Sequence, residues 1–150
     1  MPVRPVILVA EDNPTDELLL RRAIARAGLE VQPEFVHDGS EAVNYLECLD
    51  RHPAPALLLL DLRMPRMDGF QVLEWLQEHP GLRPGHVVVL SSCCGDTDLS
   101  RSSKLGVDHY LVKPEDPIEF AATLKRLEPY WADHTQAPEP ARLQAGLLVA

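Results

Sequence analysis

Charged and hydroxyl side chains follow short apolar runs at several points of this 150-residue chain. Glu11 and Asp12 come after the first such run, Asp61 after the third, Ser91 after the fourth and Lys113 after the fifth. Three carboxylates that lie close together repel one another, and a divalent cation relieves that repulsion. Mg²⁺ prefers oxygen ligands and needs only one or two carboxylates plus a phosphate. These residue types therefore predict a Mg²⁺ site.

The same group of side chains suits phosphoryl transfer. Asp61 can act as a carboxylate nucleophile and form an aspartyl phosphate. Lys113 supplies a positive charge, and the hydroxyl of Ser91 can donate a hydrogen bond to a phosphoryl oxygen. Phosphoryl transfer depends mostly on positioning and electrostatics, so these few groups suffice.

The apolar runs that precede these side chains indicate five β-strands. Continuous apolar runs lie at residues 6–10, 56–60 and 87–90, and weaker strand-like runs lie near residues 31–36 and 109–112; the starts of the five are about 22 to 31 residues apart, the length of a strand-helix unit. Runs that are apolar on both faces are typical of parallel strands covered by helices on each side.

The segments between the strands have helix-start signals. Asn13-Pro14, Asp38-Gly39, Asp68-Gly69, Asp96 and Asp116-Pro117 each open a predicted helix. The fourth helix, residues 96–105, is short and polar, and the apolar stripe of the fifth extends to Trp131.

Five such units predict an α/β, flavodoxin-like, doubly wound (βα)5 fold with a five-stranded parallel sheet in the order 2-1-3-4-5. Ligands of such sheets bind outside the carboxyl ends of the strands, at the switch point between strands 1 and 3. The fold therefore gathers the polar residues listed above in one shallow pocket.

The domain predicted from this pattern covers residues 1–131. Residues 132–140 contain two prolines and are predicted to be a linker, and residues 142–150 are mostly apolar. The tail 132–150 is either a dimerisation arm that packs on a second copy, giving a homodimer, or a frayed terminus. We expect no output domain after it.

Composition excludes several classes of protein. The formal net charge of −9 argues against binding to nucleic acid or to anionic membrane lipid. Without a membrane span or signal peptide, the sequence indicates a cytoplasmic protein. Cys48, Cys93 and Cys94 fit neither a disulfide framework nor a zinc site. The adjacent pair Cys93-Cys94 is interpreted as two reduced thiols, with a redox switch as the alternative.

Taken together, these motifs resemble the response regulator receiver domain over about residues 3–131. The resemblance rests on Glu11-Asp12, on Asp61-Leu62-Arg63-Met64-Pro65 with Asp68-Gly69, on Ser91 and on Lys113-Pro114. Each motif is weak alone, but all occur in the expected order on the expected elements.

The resemblance implies a role for each site residue. Asp12 and Asp61 would bind Mg²⁺ directly, together with the backbone carbonyl of Arg63, and Glu11 would act through a metal-bound water. Ser91 would be the switching hydroxyl and Tyr110 the aromatic switch. The Lys113–Pro114 bond would be cis.

By the same resemblance, a sensor histidine kinase phosphorylates Asp61, and the face built from helix 4, strand 5 and helix 5 switches. The longer loop at residues 50–55 and the tail are similar to those of regulators that partner bacterial phytochromes, which suggests a phytochrome-type kinase. A phosphorelay intermediate, a phosphate sink and a pseudo-receiver that binds without phosphorylation remain alternatives, and the downstream partner is open.

Two other classes fit the residues less well, so we interpret the chain as a phosphoacceptor switch rather than an enzyme. A haloacid-dehalogenase-type phosphatase needs a second acid two residues after its nucleophile, where this chain has Arg63. A flavodoxin-like cofactor binder needs a first loop that attracts phosphate, whereas Glu11-Asp12 would repel it.

Overall fold

Strands and helices alternate along the chain in a computed structural model that describes residues 4–92, 95–132 and 147–148. The strands are β1 (Val6–Ala10), β2 (Gln32–Val36), β3 (Leu57–Leu60), β4 (His86–Ser91), β5 (His109–Val112) and β6 (Leu147–Leu148). The helices are α1 (Pro14–Ala27), α2 (Gly39–Glu47), α3 (Gly69–Glu78), α4 (Asp96–Lys104), α5 (Pro117–Arg126) and α6 (Pro129–Ala132), with a 3₁₀ turn at Pro80–Leu82. None of the helices described is both long and apolar enough to span a bilayer.

The strands form one parallel sheet in the order β2-β1-β3-β4-β5-β6. The predicted order of the first five strands and the doubly wound fold are confirmed. The two-residue strand β6, which pairs with the outer edge of β5 at Tyr110 and Leu111, was not predicted. A segment of the tail therefore lies against the edge that the five-strand prediction left open.

Helices cover both faces of the sheet, which explains why β1 is apolar at every position. Leu8 points into the core under α2 and α3, and Val9 points into the core under α1 and α5. Successive side chains of a strand face opposite sides, so a strand covered on both sides must be apolar at every position. All five residues of β1 are buried.

Side-chain caps confirm the predicted starts of α1, α2, α3 and α5, whereas α4 begins at the predicted Asp96 after Gly95, without a side-chain cap. The Asn13 side chain accepts hydrogen bonds from the backbone N–H groups of Thr15 and Asp16, and Asp68 forms a reciprocal capping box with Gln71. These caps fix where α1 and α3 leave the carboxyl edge of the sheet.

The fifth helix is shorter than its apolar stripe suggested. It ends at Arg126, and the separate helix α6 begins at Pro129. Proline has no N–H to donate and disfavours a helical residue before it, which explains the break. Leu127 and Trp131 are nevertheless buried, as the stripe predicted.

Gly69 is required where α3 starts next to the end of β3. A Cβ atom at Gly69 would overlap the carbonyl oxygen of Asp61 and lie 2.8 Å from the Cα of Leu62. Both neighbours are backbone atoms of the segment that carries Asp61, so neither can rotate away.

We expect Gly69→Ala to lower the free energy of unfolding by about 1–3 kcal/mol, because the added methyl group overpacks a backbone contact. Urea unfolding checks this. Gly81→Ala is the matched control, since a Cβ at Gly81 meets no atom within 4 Å. Equal effects of the two substitutions would contradict the close approach.

Candidate functional site

The carboxyl ends of β1, β3 and β5 bring four predicted site residues together. Backbone hydrogen bonds continue the sheet beyond the strand ends: the N–H of Asp61 donates to the Ala10 carbonyl (3.1 Å), and the N–H of Lys113 donates to the Ser91 carbonyl (2.8 Å). Glu11 is held in the same way by the carbonyl of Val36 (3.0 Å). The side chains therefore project from an ordered sheet edge rather than from free loops.

The ammonium group of Lys113 lies among carboxylates. Its Nζ donates to Oε2 of Glu11 (2.5 Å), to Oδ2 of Asp16 (3.0 Å) and to Oδ2 of Asp61 (3.4 Å). The Lys113 side chain is 9% exposed, as is that of Asp61. A shielded ammonium strengthens these charge-assisted contacts and orients Asp61 from one side.

Burial and charge shift two pKa values in this pocket. Burial raises the pKa of Glu11 to about 7 from its ordinary 4.5, although the hydrogen bond and charge of Lys113 oppose the shift. Burial alone would lower the pKa of Lys113, but the hydrogen bond that Lys113 donates to Glu11 and the charge of Asp61 outweigh it, so that pKa is raised. The lysine is therefore a fixed cation, and the carboxyl group of Glu11 keeps its proton to a higher pH than an ordinary glutamate does.

The acids also form a cluster that fits a divalent cation. One carboxylate oxygen from each of Glu11, Asp12 and Asp61 lies within 4.8 Å of the others. Glu11 and Asp61 are buried, whereas Asp12 is exposed. An all-oxygen donor set with one solvent-facing member suits a hard cation that keeps part of its water shell.

Arg63, two residues after Asp61, contacts the Asp61 carboxylate through its backbone N–H. Its N–H donates to Oδ1 of Asp61 (3.2 Å), which leaves the chain turned back over the carboxylate. The prediction that the Arg63 carbonyl binds a metal stays a prediction.

Ser91 and Tyr110 are both buried. Ser91 ends β4 and is 1% exposed, and Tyr110 on β5 is 0% exposed in the core cluster that α4 contacts through Leu99. Their placement on adjacent strands is compatible with a switch, and their switching roles stay predictions.

The prediction of a cis bond between Lys113 and Pro114 is wrong, because this peptide bond is trans. The trans isomer is the intrinsically favoured form of bonds that precede proline.

A direct ion pair links the Asp61 loop to α4. The Arg63 guanidinium donates to Oδ2 of Asp98 (2.6 Å), whose side chain is 12% exposed. Arg101 of the same helix lies over the Phe70 ring at 4.0 Å and pairs with Glu74 of α3. This partner of Arg63 was not predicted, since residues 63 and 98 are 35 positions apart.

A second ion pair fixes the far side of the pocket. Arg66 adopts a left-handed backbone (φ 64°), and its Nε and Nη2 both contact Oδ2 of Asp38, at 2.6 and 2.5 Å. Burial would raise the pKa of Asp38, but the N–H of Glu41 and the Arg66 guanidinium outweigh it and lower that pKa. These bonds join the loop before α2 to the loop before α3.

Sequence reasoning missed Asp16. The predicted cap at Asn13 was the available signal, because a helix that starts there puts residue 16 in its first turn, at the edge of the pocket. Cys93, Cys94 and residues 133–140 of the predicted linker lie outside the described residues, so the interpretations of those segments stay predictions.

Comparison with known proteins identifies relatives of nearly equal length. A model of the family described as "Response regulator receiver domain" matches residues 7–125. The probable methanogenesis regulatory protein FilR2 of Methanothrix harundinacea is 35% identical over 138 residues, which are 91% of this chain and 89% of that protein. Response regulator Rcp1 of Synechocystis sp. is 29% identical over 136 residues, 89% of this chain and 92% of Rcp1.

Solved structures of response regulators also match this chain. The crystal structure of the phosphorylated cyanobacterial phytochrome response regulator RcpA matches with a TM-score of 0.79 and 31% identity, covering 93% of this chain and all of that one (100%). The Mn²⁺-bound form of Rcp1 matches with a TM-score of 0.76 and 28% identity, covering 89% of this chain and 99% of Rcp1.

The raised pKa of Glu11 predicts a pH dependence of folding. A carboxyl group whose pKa is higher in the folded state favours folding at low pH, and its contribution is lost as pH rises from about 4.5 to about 7. We expect Glu11→Gln to remove this decline. Its free energy of unfolding relative to the wild type, measured by urea unfolding in EDTA, should therefore increase between about pH 5 and about pH 8.

The same substitution at the exposed Glu47 is the control and should show a constant difference from the wild type. If the difference in unfolding free energy between Glu11→Gln and the wild type were also constant with pH, the pKa of Glu11 would not be raised in the folded protein.

Proposed function

The chain belongs to the response regulator receiver domain family, and we propose that Asp61 is the residue that accepts a phosphoryl group from a sensor histidine kinase. Phosphorylation by a histidine kinase is the general mechanism of this family. The observation that supports the assignment is the position of Asp61: its carboxylate lies 3.4 Å from the Lys113 ammonium, and one of its oxygens lies within 4.8 Å of carboxylate oxygens of Glu11 and Asp12. A nucleophile that contacts a fixed cation and belongs to a cation-binding cluster suits attack on an anionic phosphoryl group.

In the proposed transfer, one bond to phosphorus forms as another breaks. A carboxylate oxygen of Asp61 forms a bond to phosphorus while the bond from phosphorus to the kinase histidine nitrogen breaks. The electron pair of that broken bond stays on the imidazole. Lys113 offsets the negative charge of the incoming group, and the Ser91 hydroxyl donates to one of its oxygens.

We propose that the cation of this site is Mg²⁺. Asp12, Asp61 and the Arg63 carbonyl would hold it, with Glu11 acting through a bound water. When bound, it neutralises charge on the phosphoryl oxygens. The oxygen-only donor set supports this choice, as does the Mn²⁺-bound form described for Rcp1.

Ser91, Tyr110 and α4 would pass the signal on. Phosphorylation stabilises one of two pre-existing conformations through contacts that differ between them. The Ser91 hydroxyl, drawn to the phosphoryl group, would let Tyr110 repack and alter the face formed by α4, β5 and α5. The short and polar sequence of α4 supports a role as a switching element of low stability.

The relatives suggest which kinase phosphorylates the chain. RcpA is described as a phytochrome response regulator, and this chain matches its whole length. We therefore propose a phytochrome-type histidine kinase as the phosphodonor, with the exchange taking place in the cytoplasm. We propose that the phosphorylated protein acts by binding another protein. Phosphorelay and phosphate-sink roles are alternatives that use the same phosphorylation of Asp61.

We propose residues 132–150 as a tail separate from the receiver domain of residues 1–131, and as a dimerisation arm. The pairing of β6 with β5 supports this, because a strand that pairs with its own β5 edge can pair with the same edge of a second copy.

Asp61→Asn should abolish phosphorylation by acetyl phosphate in Mg²⁺, because an amide oxygen cannot form the stable acyl phosphate. Intact-protein mass spectrometry measures the added phosphoryl group. Asp50→Asn, at an exposed loop acid, should be phosphorylated like the wild type. A phosphoryl group on Asp61→Asn at the wild-type level would refute the assignment.

Asp12→Asn should remove most of the thermal stabilisation that Mg²⁺ gives the wild type, since a ligand stabilises only the state that binds it. Thermal midpoints across a MgCl₂ titration test this. Asp96→Asn removes one exposed carboxylate elsewhere and should keep the full Mg²⁺ response. Equal Mg²⁺ responses of the two variants would exclude Asp12 as a ligand.

A further inference from the structure

Lys113 has one more carboxylate partner than the proposed phosphoryl-transfer site accounts for. Glu11 and Asp61 belong to that site, whereas Asp16 belongs to α1 and to no predicted role. Yet Nζ of Lys113 lies nearer to Oδ2 of Asp16 (3.0 Å) than to Oδ2 of Asp61 (3.4 Å). An ammonium group has three N–H donors, and here three carboxylates receive them.

The start of α1 fixes the position of Asp16. The Asn13 side chain accepts from the backbone N–H of Asp16 (3.3 Å), and the Asn13 N–H donates to Oε1 of Glu11 (3.1 Å). The segment from Glu11 to Asp16 thus forms a short turn with both of its terminal carboxylates on Lys113. The side chain of Asp16 is 31% exposed, so it reaches the ammonium from the solvent side of the pocket.

We propose that Asp16 is a positioning residue: it shares the Lys113 ammonium with Asp61 and thereby limits how strongly that charge attracts an incoming phosphoryl group. This inference rests on the proposed function of Asp61 and adds a residue that tunes the same reaction. In the unphosphorylated protein, the positive charge is drawn towards α1 and away from the nucleophile. A phosphoryl group on Asp61 must compete with Asp16 for one donor of Lys113.

A general effect of acids at a helix start does not account for this contact. Acidic side chains in a first turn stabilise any helix through its dipole. Glu17, in the same turn, has that role too, and it pairs with Arg21 and His37 on the outer surface. The two neighbours therefore share the helix effect and differ in the cation that each contacts, which makes Glu17 a matched control.

The test compares phosphorylation of Asp16→Asn, Glu17→Gln and the wild type by acetyl phosphate in saturating Mg²⁺. Asp16→Asn should raise the second-order rate constant about fivefold, the change that a partly exposed ion pair can produce. Glu17→Gln should stay within about twofold of the wild type, because it removes the same charge without touching Lys113. High ionic strength keeps long-range charge effects small, so that only the contact is measured.

Asp16→Glu restores the carboxylate and should return the rate to within about twofold of the wild type. An Asp16→Asn rate that equals or falls below the wild-type rate would overturn the proposal. So would a Glu17→Gln rate that rises as much as that of Asp16→Asn.

A second measurement does not depend on phosphorylation. The ¹⁵N-¹H signal of the Lys113 ammonium, assigned by its loss in Lys113→Arg, reports on hydrogen bonding at Nζ. In Asp16→Asn, this signal should shift and its hydrogen exchange with water should accelerate, whereas Glu17→Gln should leave both unchanged. An unchanged Lys113 signal in Asp16→Asn would overturn the contact itself.

The two experiments separate the possible failures. If the wild type accepts no phosphoryl group, the proposed function fails, and the Lys113 signal still decides whether Asp16 holds the ammonium. If the wild type is phosphorylated and Asp16→Asn reacts at the same rate, only the role of Asp16 is refuted.

Discussion

The shared positive charge of Lys113 is the interaction on which this site depends. Parallel strands end at one edge of the sheet, so the fold forces Glu11 and Asp61 into a buried pocket with Asp12 beside them. Carboxylates in such a place repel one another and lose hydration. The ammonium of Lys113 compensates on one side, and a divalent cation is the natural partner on the other. The excess of negative charge favours binding of a divalent cation, which in the proposed function would offset the charge of an incoming phosphoryl group.

The surrounding loops keep this arrangement in place through ion pairs between distant segments. Asp38 and Arg66 join the loops before α2 and α3, and Arg63 joins the Asp61 loop to Asp98 on α4. An event at Asp61 therefore has a physical path to α4 through the side chain of a residue two positions away. A contact of this kind couples two places only if its two ends rearrange together, and the weak helix propensity of α4 favours that behaviour.

The sequence predicted those features that depend on local chemistry or on strand period. Apolar runs gave β1 and β3, side-chain caps gave the starts of α1 and α3, and strand ends gave Asp61 and Lys113. Contacts between distant segments could not be read in this way, so the partners of Arg63 and Asp16 emerged only from the fold. Two features at prolines were not predicted correctly. The helix break before Pro129 follows from the missing N–H of proline, but the continuous apolar stripe led to the prediction of one longer helix. The predicted cis bond before Pro114 is trans.

In the proposed function, Asp61 is the one acid of the pocket around Lys113 that is phosphorylated. The most direct test is to phosphorylate the wild type, reduce the acyl phosphate with labelled borohydride and locate the label by peptide sequencing. We expect the label at Asp61, with none at Glu11, Asp12 or Asp16. Label at any of those three acids, or at a residue outside the pocket, would contradict it.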